Sequence, residues 1–115
     1  MLLNDFANVM DDLLQVRERR GDRSLNGLQI GGDWPVKRVA LALDARLSTL
    51  QMAVAASADV LVVHHGLFWG HLFAWTGPHY DLLEAAVNNR VGLYACHLPL
   101  DAHPDFGINA RWAER

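Results

Sequence analysis

The fold of this chain is decided by the stretch Asp59-Val60-Leu61-Val62-Val63-His64-His65-Gly66. Four aliphatic residues precede the two histidines, and a short, mostly β-branched run of this kind predicts a strand buried on both faces. Imidazole is a common metal ligand in proteins, and neighbouring side chains at a strand end point in different directions. Gly66 allows the backbone to turn sharply after the pair. The stretch therefore predicts a buried strand that ends either in a metal site or in two polar loop residues.

Helix and strand patterns alternate on both sides of this strand. The predicted helices cover residues 4–19, 47–58 and 79–89, and a further helix begins at 108. The other predicted strands cover residues 28–30, 36–44 and 91–97. Strand 36–44, helix 47–58 and the strand with the histidines form a crossover unit, so the two strands should be parallel, with a right-handed connection. These patterns predict an α/β fold in three-layer-like form, with a mixed or parallel sheet between flanking helices.

Length and composition limit the class of protein. A chain of 115 residues predicts a single α/β domain over residues 1–115, and 51% apolar with 20% charged residues is ordinary for a soluble globular protein. The apolar runs are too short to span a membrane, and the net charge of −3 argues against a broad nucleic-acid-binding surface. The first five residues lack a basic segment, so we expect no signal peptide. The single Cys96 cannot form an internal disulfide, which favours the cytoplasm.

Candidate metal ligands follow two predicted strands. His64, His65 and Asp101 come just after the carboxyl ends of strands expected to be parallel, and in open α/β sheets ligands bind in the crevice at those ends. Imidazole with carboxylate suits zinc, iron, manganese or similar divalent ions, and two such ions can activate a water and hold the attacking and leaving oxygens. His97 and His103 flank Asp101 and are candidates for orienting it by hydrogen bonds. The alternatives are that His97 is a core histidine and His103 a turn residue.

The segment 67–78 has no clear period and is rich in aromatic rings. It contains Phe68, Trp69, His71, Phe73 and Trp75. Such a loop is either a lid folded over a site or a contact between copies of the chain.

Several segments together resemble a known family. The segment 62–69 resembles the double-histidine signature of the Nif-three-like dinuclear-metal proteins, which are often named GTP cyclohydrolase I type 2. Other segments resemble family segments in the same order: Asn26-Gly27-Leu28-Gln29-Ile30-Gly31, residues 39–44 ending in Asp44, and residues 97–104 followed by Gly107 and Asn109. The resemblance runs from about Asn4 to Ala110.

The resemblance implies a ligand set and an architecture. It implies that His64, His65 and Asp101 are ligands in a site for two divalent ions, and that the chain has an α/β fold whose members often assemble as rings of six. Family members are about twice as long, and a His and a Glu near their C-terminus complete the site. The chain therefore resembles the N-terminal half of such a protein. Three ligands of five predict weak metal affinity unless water, another chain or a neighbouring His completes the coordination shell.

Three functions stay open from the sequence. The first is a metal-dependent hydrolase-like enzyme that acts on a small molecule such as a nucleotide. The second is a non-catalytic metal-binding or assembly module. The third is a metal-free interaction domain in which His64 and His65 only form hydrogen bonds. We expect a cytoplasmic homo-oligomer that binds neither membranes nor nucleic acid.

Overall fold

A computed structural model describes residues 1–18 and 21–113, and a four-stranded mixed sheet lies at the centre of this part of the chain. The strands are β1 (Gly27–Ile30), β2 (Val39–Asp44), β3 (Val60–His65) and β4 (Gly92–Ala95). Their order in the sheet is β1-β4-β3-β2. β2, β3 and β4 are parallel, and β1 is antiparallel to β4. The predicted mixed sheet and the parallel pairing across the crossover are therefore confirmed.

Helices flank the sheet on both faces. They are α1 (Leu3–Leu13), α2 (Leu47–Ala55), α3 (Pro78–Asn89), α4 (Leu98–Ala102) and α5 (Ile108–Ala113), with a 3-10 turn at Val16–Glu18. α1 contributes to the core on one face of the sheet, and α2 and α3 contribute to the core on the other. Within the described ranges, no helix has both the length and the apolar composition that crossing a membrane requires.

β3 supplies side chains to both cores, as its aliphatic run predicts. Leu61 and Val63 are buried in the core formed with α2 and α3, whereas Val60 is buried in the core formed with α1. Successive side chains of a strand point to opposite faces, so one strand serves both layers. Each fully buried aliphatic side chain contributes about 1.5–3 kcal/mol. This burial holds the end of β3, and the two histidines on it, in a fixed position.

β2 forms an edge of the sheet and is covered on only one face. Ala40 and Ala42 pack against the core of α2 and α3. Leu41 and Leu43 lie on the other face and are 78% and 59% exposed. Beside them is an apolar groove of about 460 Å³, whose lining includes Met10, Leu14 and Val62. The face of the sheet that carries α1 is therefore only partly covered.

Several elements are shorter than predicted. The helix predicted over 4–19 ends at Leu13 because the next turn is broken at Gln15, which adopts a left-handed φ of 56°; residue 19 lies outside the described residues. α2 ends at Ala55, close to Ser57 with its φ of 57°. β2 begins at Val39 rather than 36. The backbone N–H groups of Lys37 and Arg38, which the prediction placed in the strand, donate to the carboxylate of Asp59 at 2.7 and 2.9 Å.

Helix α4 was not predicted from the sequence. Its second residue is Pro99, which would break a helix at an interior position but is compatible with the first turn, where its missing N–H group has no helical partner. This turn carries Asp101 and follows β4 closely. The helix predicted from 108 is confirmed as far as Ala113, and residues 114 and 115 lie outside the described residues.

Candidate metal centre

The candidate site lies at the carboxyl ends of β3 and β4. His64 and His65 are the last two residues of β3, and His97 follows the end of β4 by two residues. α4 then brings Asp101 back to the same edge, where its Oδ1 lies 2.9 Å from Nε2 of His64. The structure thus brings the histidine pair and the carboxylate of Asp101 into contact across 37 positions of sequence.

Three imidazoles form a cluster at this edge. The ring centroids of His64 and His65 are 4.7 Å apart, and that of His97 lies 4.8 Å from His64 and 5.5 Å from His65. One ring nitrogen from each can be chosen so that all three lie within 4.8 Å of one another. His97 therefore belongs to the cluster itself, whereas the sequence suggested that it either orients Asp101 or is a core histidine.

Each imidazole is paired with one carboxylate. His64 is paired with Asp101, His65 Nδ1 lies 2.7 Å from Oδ1 of Asp44, and His97 Nδ1 lies 3.4 Å from Oδ1 of Asp22. A carboxylate beside one ring nitrogen favours the proton on that nitrogen, which leaves the other as an electron-pair donor. This arrangement is typical of histidines that bind metals.

The residues present fit a divalent metal ion. Nδ1 of His64 is buried and has no hydrogen-bond partner within the described part of the chain. Buried polar atoms without a partner are rare in folded proteins, and a bound ion or an ordered water explains one.

Asp22 is the most deeply buried carboxylate at the site, with its side chain only 4% exposed. Burial alone would raise its pKa. Hydrogen bonds from the side chains of Ser24 and Asn26 and from the backbone N–H groups of Ser24 and Leu98 outweigh that effect and hold the pKa of Asp22 well below its ordinary value. Asp22 is therefore a permanent negative charge beside His97.

The turn after the histidine pair is held by Gln29. Its Oε1 accepts the backbone N–H of Leu67 at 2.8 Å, and its Nε2 donates to the carbonyl of Leu25 at 2.7 Å. A Cβ at Gly66 would lie 2.5 Å from Nε2 of Gln29 and 2.7 Å from the Cβ of Ala95. Glycine is favoured at this position because a Cβ there would crowd the side chains of Gln29 and Ala95.

The aromatic loop packs partly on the cluster and partly on itself. The Trp69 ring meets His97 edge-on at 5.0 Å, and its Nε1 donates to the carbonyl of Gly66 at 3.2 Å. Phe73 stacks on Phe68 at 5.4 Å, and both pack against the core of α2 and α3. Trp69 is thus the part of the loop that borders the imidazoles.

His103 is a turn residue, which was one of the two roles suggested by the sequence, and it does not orient Asp101. Its ring is buried, its Nε2 donates to the carbonyl of Leu13 at 2.8 Å, and its Nδ1 accepts the backbone N–H groups of Asp105 and Phe106, both at 3.1 Å. These bonds occupy both ring nitrogens, so neither is available to orient Asp101. The ring instead joins the end of α1 to the turn after α4.

Two carboxylates of the site were not assigned a role from the sequence. Asp44 ends β2, opposite His65 in the parallel register, and a strand ending in Asp next to a strand ending in His could have indicated the pair. Asp22 lies in a segment without a strand or helix pattern, 75 positions from His97. No local sequence pattern connects Asp22 with His97.

A family model described as Duf34/NIF3 (NGG1p interacting factor 3) matches residues 1–115. The chain belongs to the Duf34/NIF3 family. The family resemblance of the sequence segments is therefore confirmed.

Relatives of this NIF3-family chain are longer. A protein of Deinococcus radiodurans named GTP cyclohydrolase 1 type 2 homolog is 54% identical over 89 residues, which are 77% of this chain and 34% of the relative. A protein of the same name from Halobacterium salinarum is 46% identical over 115 residues, 99% of this chain and 45% of the relative. The solved structure of the protein ybgI, described as of unknown function, has a TM-score of 0.92 at 34% identity and covers 99% of this chain and 46% of that one. The chain spans less than half the length of these three relatives.

Proposed function

We propose that this NIF3-family chain binds divalent metal ions at the imidazole cluster, with His64, His65 and Asp101 as ligands, and that it is part of a metal-dependent hydrolase-like enzyme. The observation that carries this proposal is the meeting of three imidazoles within 4.8 Å, with a carboxylate oxygen 2.9 Å from one of them. Nitrogen and oxygen donors of this kind suit zinc, iron or manganese. The resemblance of the sequence segments to the family implies that one site binds two such ions.

The chain's own residues set the site up for metal. Asp44 holds the proton on Nδ1 of His65, which leaves Nε2 free to bind. The first turn of α4 brings the carboxylate of Asp101 beside His64, where it would serve as an oxygen ligand. Divalent ions at such a site supply Lewis acidity and lower the pKa of water for attack on an ester, amide or phosphate bond. Trp69 covers one side of the cluster and limits the approach of solvent from there.

The substrate class we propose is a small molecule with an anionic group, such as a nucleotide. Bound cations favour anionic substrates, and the chain itself carries a net charge of −3 and so would otherwise repel them. The relatives' name, GTP cyclohydrolase 1 type 2 homolog, points in the same direction. The free and buried Cys96 is consistent with a cytoplasmic protein.

The test of metal binding is elemental analysis and titration of the purified protein with Zn²⁺, Mn²⁺ and Fe²⁺. We expect metal bound by the wild type and lost from the double variant His64→Ala, His65→Ala, with His71→Ala as a control because His71 is exposed and outside the cluster. Equal metal content in the wild type and the double variant would refute the site. Turnover of nucleoside triphosphates with each added metal then tests the enzymatic part, and absence of any metal-dependent product contradicts it.

A second candidate is a non-catalytic assembly module. It is favoured by the exposed apolar face of the edge strand β2, where Leu41 and Leu43 have no cover within the described residues. We propose that a second copy of the chain packs there, as part of a homo-oligomer. Light scattering after size exclusion tests this, with Leu41→Lys as the variant that weakens assembly and Lys37→Ala, at the neighbouring exposed end, as the control. A monomer at all concentrations refutes this candidate.

A further inference from the structure

The loop before β1 and the chain after β4 are joined by a buried polar clamp formed by Asp22 and Asn26. Oδ2 of Asp22 accepts the side-chain amide of Asn26 at 3.1 Å and the backbone N–H of Leu98 at 3.0 Å. Oδ1 of Asn26 accepts the backbone N–H of His97 at 2.7 Å. The clamp therefore binds the backbone N–H groups of two consecutive residues after β4, which fixes the backbone position of His97.

The same carboxylate also faces the ring of His97. Oδ1 of Asp22 accepts the backbone N–H and the hydroxyl of Ser24 at 3.0 and 2.7 Å, and it lies 3.4 Å from Nδ1 of His97. Ser24 thus anchors the same oxygen that faces the ring. With backbone and ring both held, His97 has one orientation relative to β4.

In that orientation the His97 ring joins the imidazole cluster. Its centroid lies 4.8 Å from the His64 ring and 5.0 Å from the Trp69 ring. Nδ1 is directed to Asp22, so Nε2 is the nitrogen that remains to act as an electron-pair donor. A carboxylate, an imidazole and a metal in this order form a recurrent unit in proteins, in which the carboxylate sets the tautomer and the ring orientation.

We propose that His97 is a third imidazole ligand of the metal site and that Asp22 is its positioning residue. The inference rests on the proposed function, since it assumes that the cluster binds metal. It adds one ligand from this chain to the three implied by the family resemblance. The three imidazoles of the cluster would supply three nitrogen ligands from the described residues, and zinc sites commonly use three protein ligands and a water.

The experiment is titration of the purified metal-free protein with Zn²⁺ and with Co²⁺, whose visible spectrum reports the number and kind of ligands. The variants are Asp22→Asn, His97→Ala and the two combined, with Asp33→Asn as a control because Asp33 is exposed and remote in sequence from the site. We expect 10- to 100-fold weaker Zn²⁺ binding for each of the two single variants, the range typical of changes around metal ligands. We also expect a changed Co²⁺ spectrum for both and no change for Asp33→Asn.

The double variant separates positioning from a general loss of structure. If Asp22 acts through His97, the combined variant binds Zn²⁺ no more weakly than His97→Ala alone, because the interaction is already lost. Additive losses mean that Asp22 supports the fold in another way and overturn its positioning role. His97→Gln keeps the backbone clamp and some polar character, so it tests the ligand even where Asp22→Asn folds poorly.

Failure of this inference is distinguishable from failure of the proposed function. If the wild type binds no Zn²⁺, or the loss of His64 and His65 leaves binding unchanged, the metal site itself is wrong. If those two histidines are needed but His97→Ala and His97→Gln bind Zn²⁺ within twofold of the wild type, only the third ligand is refuted. Thermal unfolding of each metal-free variant shows which of them have kept the fold.

Discussion

Asp44 and His65 are opposite one another in the parallel register of β2 and β3, and Nδ1 of His65 donates to Oδ1 of Asp44 at 2.7 Å. The edge strand of the sheet thus supplies the group that orients one histidine of the candidate site. Oδ2 of the same carboxylate lies 3.7 Å from Nε of Arg46, whose side chain is exposed. Exposed pairs of this kind contribute little free energy, so the contact with His65 is the one with consequences.

Replacing Asp44 by Asn is expected to weaken Zn²⁺ binding about tenfold, because the amide no longer fixes the proton on Nδ1 of His65. Calorimetric titration measures the effect. Arg46→Ala is the matched control, since it removes the other partner of Asp44 and leaves the histidine untouched. Equal affinities for Asp44→Asn and the wild type would show that the pair has no part in metal binding.

Gly66→Ala is expected to destabilise the fold by about 1–3 kcal/mol, the usual effect of overpacking. The added Cβ would lie 2.5–2.7 Å from the side chains of Gln29 and Ala95. Urea unfolding of the metal-free protein measures the change. The double variant Gly66→Ala, Gln29→Ala relieves the contacts with Gln29. Its decrease in the free energy of unfolding should therefore be smaller than the sum of the decreases in the two single variants. An additive result would contradict this account of the turn.

The carboxylate of Asp59 is expected to stabilise the folded state at neutral pH but not in acid. Its carboxylate accepts the backbone N–H groups of Lys37 and Arg38, and these bonds hold its pKa below the ordinary value of 3.8. A carboxyl whose pKa is lowered on folding stabilises the folded state above its unfolded pKa, and the contribution is lost as the pH falls through the folded pKa.

We therefore expect Asp59→Asn to lower the free energy of unfolding by about 1 kcal/mol at pH 7, with the gap to the wild type closing below about pH 4. Urea unfolding across this pH range measures the gap. Asp33→Asn, at an exposed position, should follow the wild type throughout. A gap of the same size at pH 7 and pH 3 would refute the role of the charge.

Cys96 is expected to resist thiol reagents in the folded protein. The residue is 1% exposed, and burial raises the pKa of its thiol to about 11, so the reactive thiolate is scarce. At pH 8 we expect labelling of the native wild type to be on the order of 100-fold slower than in denaturant. Thr76→Cys, at an exposed turn, provides the fast control within the folded chain. Rapid labelling of both cysteines would mean that the core around Cys96 opens readily.

Local sequence patterns predicted the layers of the fold correctly, but they did not predict where its helices and strands end. The aliphatic run of β3 indicates a strand buried on both faces, and the helical spacing in α2 and α3 indicates which side of each helix is buried. The end of α1 depends on a left-handed residue, Gln15, which has no special sequence preference for that conformation. α4 was not predicted because a proline such as Pro99 is tolerated in the first turn of a helix but disrupts a helix at an interior position.

The sequence by itself determined the family, the parallel crossover and the histidine pair at the end of a buried strand. These follow from the order of residues along one segment at a time. Only the tertiary structure decided that Asp22 meets His97, that Asp44 meets His65 and that His103 is committed to the backbone of Leu13. Such contacts depend on strand register and on the path of loops, and the residues they join are 21 to 90 positions apart in the chain.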